Sequence, residues 1–343
     1  MTDDNAGGDG EGETDADIQT DVRKDGSGVI TRRRLMVGGG VVAAGAGAGI
    51  ISGKYVVSPD VPAENLEEEY TNEESEFAEV AGARVHYRDQ GRQDAPPVVL
   101  VHGFASSLHT WEDWVELLGD DYRIISLDLP AFGLTGPNET GEYGADYYAE
   151  LVGELADELS LDTFSLGGNS MGGEVAWRYA LNNPDRLEKL LLVDAAGYST
   201  EGEGESIFIT LARYPVLDRI PRHITPRSAI RGLVESAYAD DSLVTDGVVE
   251  RYYDLLRRED NREAIVQRMQ SLPESREDEI PEIEVPTLVM WGEQDTWIPL
   301  EHGERFAEDI PGAELVTYEG VGHVPMEEAP ETTAPDVAEF LGE

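Results

Sequence analysis

The five residues Gly168-Asn169-Ser170-Met171-Gly172 constrain the fold of this chain more than any others. They join the apolar run Thr163-Phe164-Ser165-Leu166-Gly167 to the helical stretch Glu174-Val175-Ala176-Trp177-Arg178-Tyr179-Ala180. A backbone that passes from strand to helix in so few residues must bend sharply, and glycines, having no Cβ, permit the bend. The serine at the apex then projects from the end of a strand, the setting in which a serine oxygen serves as a nucleophile.

The sequence around this elbow repeats a strand–helix rhythm. Val80 to Arg88 reads as an opening hairpin, and Pro97–Val101 is a continuous apolar run, as in a strand buried on both faces. Trp111–Leu118 reads as a helix, Tyr122–Asp128 as a strand, Tyr147–Leu159 as a helix and Leu187–Asp194 as another buried strand. From about Ser199 to Glu279 the pattern turns helical throughout, punctuated by Pro215, Pro221 and Pro226. The rhythm resumes with Thr287–Trp291, a helix near His302–Ala307, the strand Glu314–Tyr318 and a last helix to Leu341. Alternating strands and helices predict an α/β fold: a mostly parallel central sheet flanked by helices, with a helical cap inserted after the sixth sheet strand. The expected core is 76–198 with 281–343, and the cap (lid) is 199–280.

At 343 residues the chain is long enough for a sizeable core, but its net charge of −46 is unusual. Residues 1–54 hold six Lys/Arg and nine Asp/Glu, so 55–343 still carry −43. The acidity therefore belongs to the folded part. Only three of the 25 basic residues are lysine (Lys24, Lys54, Lys189). A lysine-poor, carboxylate-rich surface suits a halophilic, acidic proteome working in molar salt, where screening shortens to about 3 Å. The same charge excludes nucleic acid as a partner, because no basic surface replaces its counterions. With no cysteine, disulfides, thiolate metal sites and cysteine lipidation are excluded as well.

Residues 1–30 form an acidic, Gly-rich leader expected to be disordered. Residues 31–54 begin with Thr31-Arg32-Arg33-Arg34-Leu35 and continue as a Gly/Ala-rich apolar stretch. This resembles a twin-arginine export signal. It implies an extracellular protein or, if 35–51 persists as a membrane attachment, an anchored one facing outside; a membrane-anchored cytoplasmic protein is the alternative. Residues 55–75, acidic and without apolar period, read as a linker.

Four motifs follow strand ends in the order Val101-His102-Gly103-Phe104, the Ser170 elbow, Trp291-Gly292-Glu293-Gln294-Asp295, and Gly320-Val321-Gly322-His323-Val324-Pro325. Their order, nucleophile then acid then histidine, resembles the α/β-hydrolase fold superfamily over essentially all of 76–343. The resemblance implies a catalytic triad of Ser170, His323 and Asp295. It further implies backbone N–H groups of Phe104 and Met171 as oxyanion donors, and a supporting turn from His102, Gly103, Gly168 and Gly172. Asp194, at the end of the strand after the elbow, and Glu293 remain rivals for the acid. His86, His109, His223 and His302 are expected to be structural, as are Asp128 and its turn. Trp111, Trp291 and Trp297 are expected in the core or the cleft wall.

Serine at the elbow separates the chain from haloalkane dehalogenases and epoxide hydrolases, which place aspartate there. The elbow and cap look like those of carboxylesterases and of the carbon–carbon hydrolases of aromatic breakdown. The latter usually carry an aromatic residue after the histidine, where this chain has Val324. The expectation is a serine esterase acting on a small-molecule acyl substrate, with no cofactor and no metal. Alternatives are a meta-cleavage-type carbon–carbon hydrolase, an acyltransferase or perhydrolase on the same scaffold, and a non-catalytic binding protein. Cap arginines (Arg213, Arg219, Arg222, Arg227, Arg231) either bind a substrate carboxylate or pair with the surplus acids.

Overall fold

The computed structural model describes residues 58–199, 223–270 and 275–342. The leader, the twin-arginine-like segment and the cap residues Arg213, Arg219 and Arg222 lie outside them. Among the described residues no helix is long and apolar enough to cross a membrane.

Eight strands form one sheet in the order β1-β2-β4-β3-β5-β6-β7-β8. They are β1 (Ser75–Val80), β2 (Ala83–Gly91), β3 (Pro97–Val101), β4 (Arg123–Leu127), β5 (Phe164–Asn169), β6 (Leu187–Val193), β7 (Thr287–Gly292) and β8 (Glu314–Tyr318). The hairpin β1–β2 pairs antiparallel with β4, and every pair from β4 to β8 is parallel. Parallel strands need crossovers, and these are helices: α2 (Glu112–Leu118), α3 (Ala145–Glu158), α4 (Met171–Asn182) and α8 (Leu300–Asp309). Because side chains alternate along a strand, Val99 and Val101 face one apolar layer while Val98 and Leu100 face the other. With helices over both layers, β5 and β7 are buried along their whole length.

The insertion after β6 is helical where described: α5 (Arg227–Ala237), α6 (Asp246–Leu256) and α7 (Asn261–Gln270). Ile230 and Val234 of α5 and Val249 of α6 join the apolar layer that contains Val193 and Met290. The cap is thus packed onto the C-terminal ends of the parallel strands. The chain closes with α9 (Pro325–Glu328) and α10 (Pro330–Gly342), the latter covering α2 through Val337 and Phe340.

Residues 58–75 differ from the expected linker. Val61 pairs with the cap, its N–H donating to Arg257 O at 2.8 Å and its carbonyl accepting from Glu259 N at 2.8 Å. The Arg262 guanidinium holds Ser58 O at 2.7 Å and the Asp60 carboxylate at 2.6 Å. Helix α1 (Ala63–Tyr70) buries Leu66 against Leu134 and Leu255, and Arg88 of β2 donates to Tyr70 O at 2.9 Å. The segment straps cap to sheet. It shows no hydrophobic period because three apolar residues and backbone hydrogen bonds do the anchoring, and neither leaves a pattern in sequence.

Candidate active site

The elbow between β5 and α4 is built as its glycines imply. Ser170 has φ +55° and ψ −118°, a conformation costing a non-glycine residue about 1–3 kcal/mol. A Cβ at Gly168 would lie 2.1 Å from Gly172 O, and one at Gly172 would lie 2.1 Å from Val101 O. Both glycines are therefore demanded by close approach, the first within the elbow and the second between the elbow and β3. The strained serine is held by its N–H on Val193 O at 3.0 Å and its carbonyl under Ala196 N at 2.9 Å.

The loops after β7 and β8 bring a carboxylate to an imidazole. His323 Nδ1 lies 2.7 Å from Asp295 Oδ2. The other oxygen, Oδ1, accepts from the N–H groups of Trp297 at 2.7 Å and Ile298 at 3.1 Å. This arrangement fixes the proton on Nδ1 and leaves Nε2 as the acceptor nitrogen. Nε2 is buried and has no hydrogen-bond partner among the described residues. It therefore stands free to take a proton, and His323 and Ser170 line the same cavity. Hydrogen bonds between nucleophile and base are often long before substrate arrives.

Of the rival acids, Glu293 is engaged by the Thr317 hydroxyl at 2.9 Å, on the exposed side of the loop. Asp194 is fully buried close by, but its Oδ1 accepts from Gly292 N at 3.0 Å. Asp194, Asp295 and His323 have ligand-type atoms within 4.8 Å of one another. Their convergence is that of an acid–imidazole pair with a neighbour, since Asp295 Oδ2 and His323 Nδ1 already satisfy each other.

His102 is a strut. Its Nδ1–H donates to Gly103 O at 2.7 Å and its Nε2 accepts from Leu129 N at 3.0 Å. Full burial lowers its pKa and keeps it neutral. It shapes the turn in which a Cβ on Gly103 would approach Asn169 Oδ1 to 2.8 Å. Phe104 follows in that turn and borders the cavity beside Ser170. Met171 is the first residue of α4, where an N–H has no intrahelical acceptor.

His109, Trp111, Trp291, Arg227, Arg231 and Asp128 fall outside the cavity. His109 is buried, which together with the Arg88 charge holds it down at about 4. Trp111 and Trp291 are fully buried in the core. Arg227 pairs with Glu250, and Arg231 with Glu235 and Asp246. Asp128 organises the turn after β4: it accepts from Leu108 N at 2.7 Å and Leu134 N at 2.8 Å, and meets His86 Nδ1 at 2.8 Å. Burial pushes its carboxyl up, but the His86 hydrogen bond and charge overrule it and hold the group below the ordinary carboxylate range. Replacing Asp128 by alanine should cost about 3–5 kcal/mol at neutral pH, because three partners lose their acceptor in a dry site. Its folded-state pKa is depressed, so the stabilisation is complete above the unfolded value of about 3.9 and is lost as pH falls through the folded value. Denaturant unfolding of both proteins at neutral pH checks the size; a difference under about 1 kcal/mol would refute it.

Three contributors, Asn169, Glu327 and Glu328, carried no assigned role in the sequence, while Trp297, expected in the core or the cleft wall, borders the cavity. Asn169 donates its side-chain amide to His323 O at 2.9 Å and to Val193 O at 3.2 Å, tying the histidine loop to the elbow. Trp297 stacks on the His323 ring, centroids 4.8 Å apart at 37°. Glu327 accepts from Tyr238 and Tyr252 of the cap, each at 2.8 Å. Glu328 accepts from Gly322 N at 2.7 Å and from Ala239 N and Asp240 N, both at 2.9 Å. The two glutamates clamp the cap onto the loop that carries His323. Position next to Ser170 was the one available signal for Asn169; a Glu pair among 71 acids offers none.

The resulting cavity is walled by Phe104, Leu233, Val234, Tyr252, Trp297 and Val324 around Ser170 and His323. Among the described residues lining it there is no Arg, Lys, Asp or Glu.

The sequence matches the Alpha/beta hydrolase family over residues 98–336, more than half of the chain. It is 31% identical over 261 residues to "Uncharacterized hydrolase YugF" of Bacillus subtilis (strain 168), covering 75% of this chain and 92% of that one. It is 29% identical over 275 residues to the 2-hydroxy-6-oxononadienedioate/2-hydroxy-6-oxononatrienedioate hydrolase of Cupriavidus pinatubonensis, covering 76% and 91%. A crystal structure of a membrane phospholipase A, described as a bacterial virulence factor, superposes with a TM-score of 0.68 at 27% identity, over 88% of this chain and 96% of that one.

Proposed function

Because this chain belongs to the alpha/beta hydrolase family and shares most of its length with named hydrolases, we propose that it is a serine hydrolase of carboxylic esters acting through an acyl-enzyme. One observation carries the reading: the Ser170 elbow and the bare Nε2 of an Asp295-oriented imidazole face one apolar cavity.

The steps follow from these groups. Ser170 Oγ attacks the acyl carbon as His323 Nε2 takes its proton. The developing oxyanion is stabilised by the N–H groups of Phe104 and Met171. The imidazolium, steadied by Asp295, protonates the departing alcohol. Water then surrenders a proton to His323, attacks the acyl carbon, and releases the acid and Ser170.

A carbon–carbon hydrolase is the second reading, prompted by the relative that acts on a dioate. A dicarboxylate needs cationic partners. The described cavity lining has none, and Val324 stands after the histidine. These observations favour an uncharged acyl substrate.

The test is hydrolysis of p-nitrophenyl esters of increasing acyl length, in molar KCl, beside a vinylogous keto-diacid substrate. Turnover is expected on the esters, with kcat/KM rising about tenfold per added pair of methylenes until the apolar cavity is filled, since each buried CH₂ is worth about 0.8 kcal/mol. Cleavage of the keto-diacid with no turnover of any ester would favour the second reading.

A further inference from the structure

Asp194 follows β6 and has no part in the chemistry just described, yet it lies against the acid that has. Its carboxyl is wholly buried. Oδ1 accepts one hydrogen bond, from Gly292 N at 3.0 Å. Oδ2 is buried with no hydrogen-bond partner among the described residues. The backbone holds it there in a left-handed conformation, φ +43°, which few non-glycine residues adopt and aspartate adopts more readily than most.

The titratable groups facing Asp194 are the Asp295 and Glu328 carboxylates, the Tyr318 hydroxyl and the His323 imidazole. None of them is a Lys or Arg. Two carboxylates in one dry site do not both ionise. Asp295 receives two N–H donors and the imidazole, so the charge settles there. Asp194 receives one. Burial, and next the Asp295 charge, raise its pKa well above the carboxylate range, and the Gly292 N–H does not offset them. An oxygen left orphaned as an acceptor is satisfied if it carries a proton and donates.

Resting on the reading of Asp295 as the triad acid, we propose that Asp194 is a positioning residue: a neutral carboxylic acid whose Oδ2–H donates to the Asp295 carboxylate and holds it toward His323. The proton stays on Asp194 throughout the cycle. A hydrogen bond to an ionised acceptor is stronger and more directional than a neutral one, which suits an orienting role.

The full-length protein in molar KCl tests this in two independent ways. Infrared spectra of the wild type at pH 7 are expected to show a protonated-carboxyl C=O band, although every ordinary carboxylate is ionised there, and Asp194→Asn should remove it. Kinetically, Asp194→Ala should lower kcat on the best ester about 10–100-fold, the scale of losing an outer orienting partner. Asp194→Asn should recover most of that loss with the acid limb of the pH profile in place, because its amide still donates to Asp295 and its oxygen still accepts from Gly292. A wild type with no such band at pH 7 overturns the proposal whatever the variants do. So does an Asp194→Asn acid limb displaced to lower pH, which would mean that a negative charge near His323 had been removed. Turnover surviving in Asp295→Asn would defeat the triad reading instead, whatever the wild-type band shows.

Discussion

Replacing Ser170 by alanine will lower kcat on the preferred ester by about 10⁴-fold or more, with KM nearly unchanged. The effect is this large because the variant loses the atom that becomes covalently bonded, and no nearby group substitutes for it. Among the described residues lining the cavity, Ser106 is the other hydroxyl-bearing serine, and its Oγ lies 3.3 Å from the Tyr252 hydroxyl, itself bonded to Glu327. His323 would retain its Asp295 partner, and the Phe104 and Met171 amides would still polarise a bound ester, so a small residual rate over water is expected. The fold should survive the change, because alanine bears the same backbone strain as serine at φ +55° and the backbone hydrogen bonds of residue 170 remain. Steady-state kinetics beside circular dichroism checks both halves. Activity within tenfold of wild type from the folded variant would remove Ser170 from the mechanism.

The second large effect is expected from salt. Between 3 M and 0.1 M KCl the melting temperature should fall by about 10 °C or more, as the screening length grows from under 3 Å to about 10 Å. The net charge of −46 is spread over a chain with 25 basic residues, and many of these are already committed. Arg276 serves Asp146 and Glu279, Arg251 serves Glu112 and Glu327, and Arg262 ties Asp60 to the cap. With 71 acids to 25 basic residues the carboxylates outnumber their possible basic partners, and counterions screen the excess. Thermal melts across a KCl series, with sucrose as a control for exclusion effects, test the idea. A melting temperature independent of KCl would mean that the surface acids repel too weakly to matter.

Much of the fold was legible because its signals are local. A strand buried on both faces reads as a nearly continuous apolar run, as Pro97–Val101 and Leu288–Trp291 do, and the elbow must carry glycine where an added Cβ would meet backbone at 2.1 Å. The insertion announced itself by a change of period after β6. The strap did not, because Val61 and Ser58 are held through backbone groups that every residue possesses.

The candidate site divides along the same line. Sequence alone determined which residue types stand at the ends of β3, β5, β7 and β8, since chain order and turn chemistry are local properties. It left Asp194, Glu293 and Asp295 as rivals. Only the tertiary structure shows which of them meets the imidazole: Asp295 does, with two N–H donors besides, while Asp194 is sealed in a dry pocket and Glu293 lies at the surface. The same holds for Glu327 and Glu328, ordinary acids in composition and clamps of the cap in space. A carboxyl's role depends on its solvent and its donors, and both are supplied by residues far away in the chain.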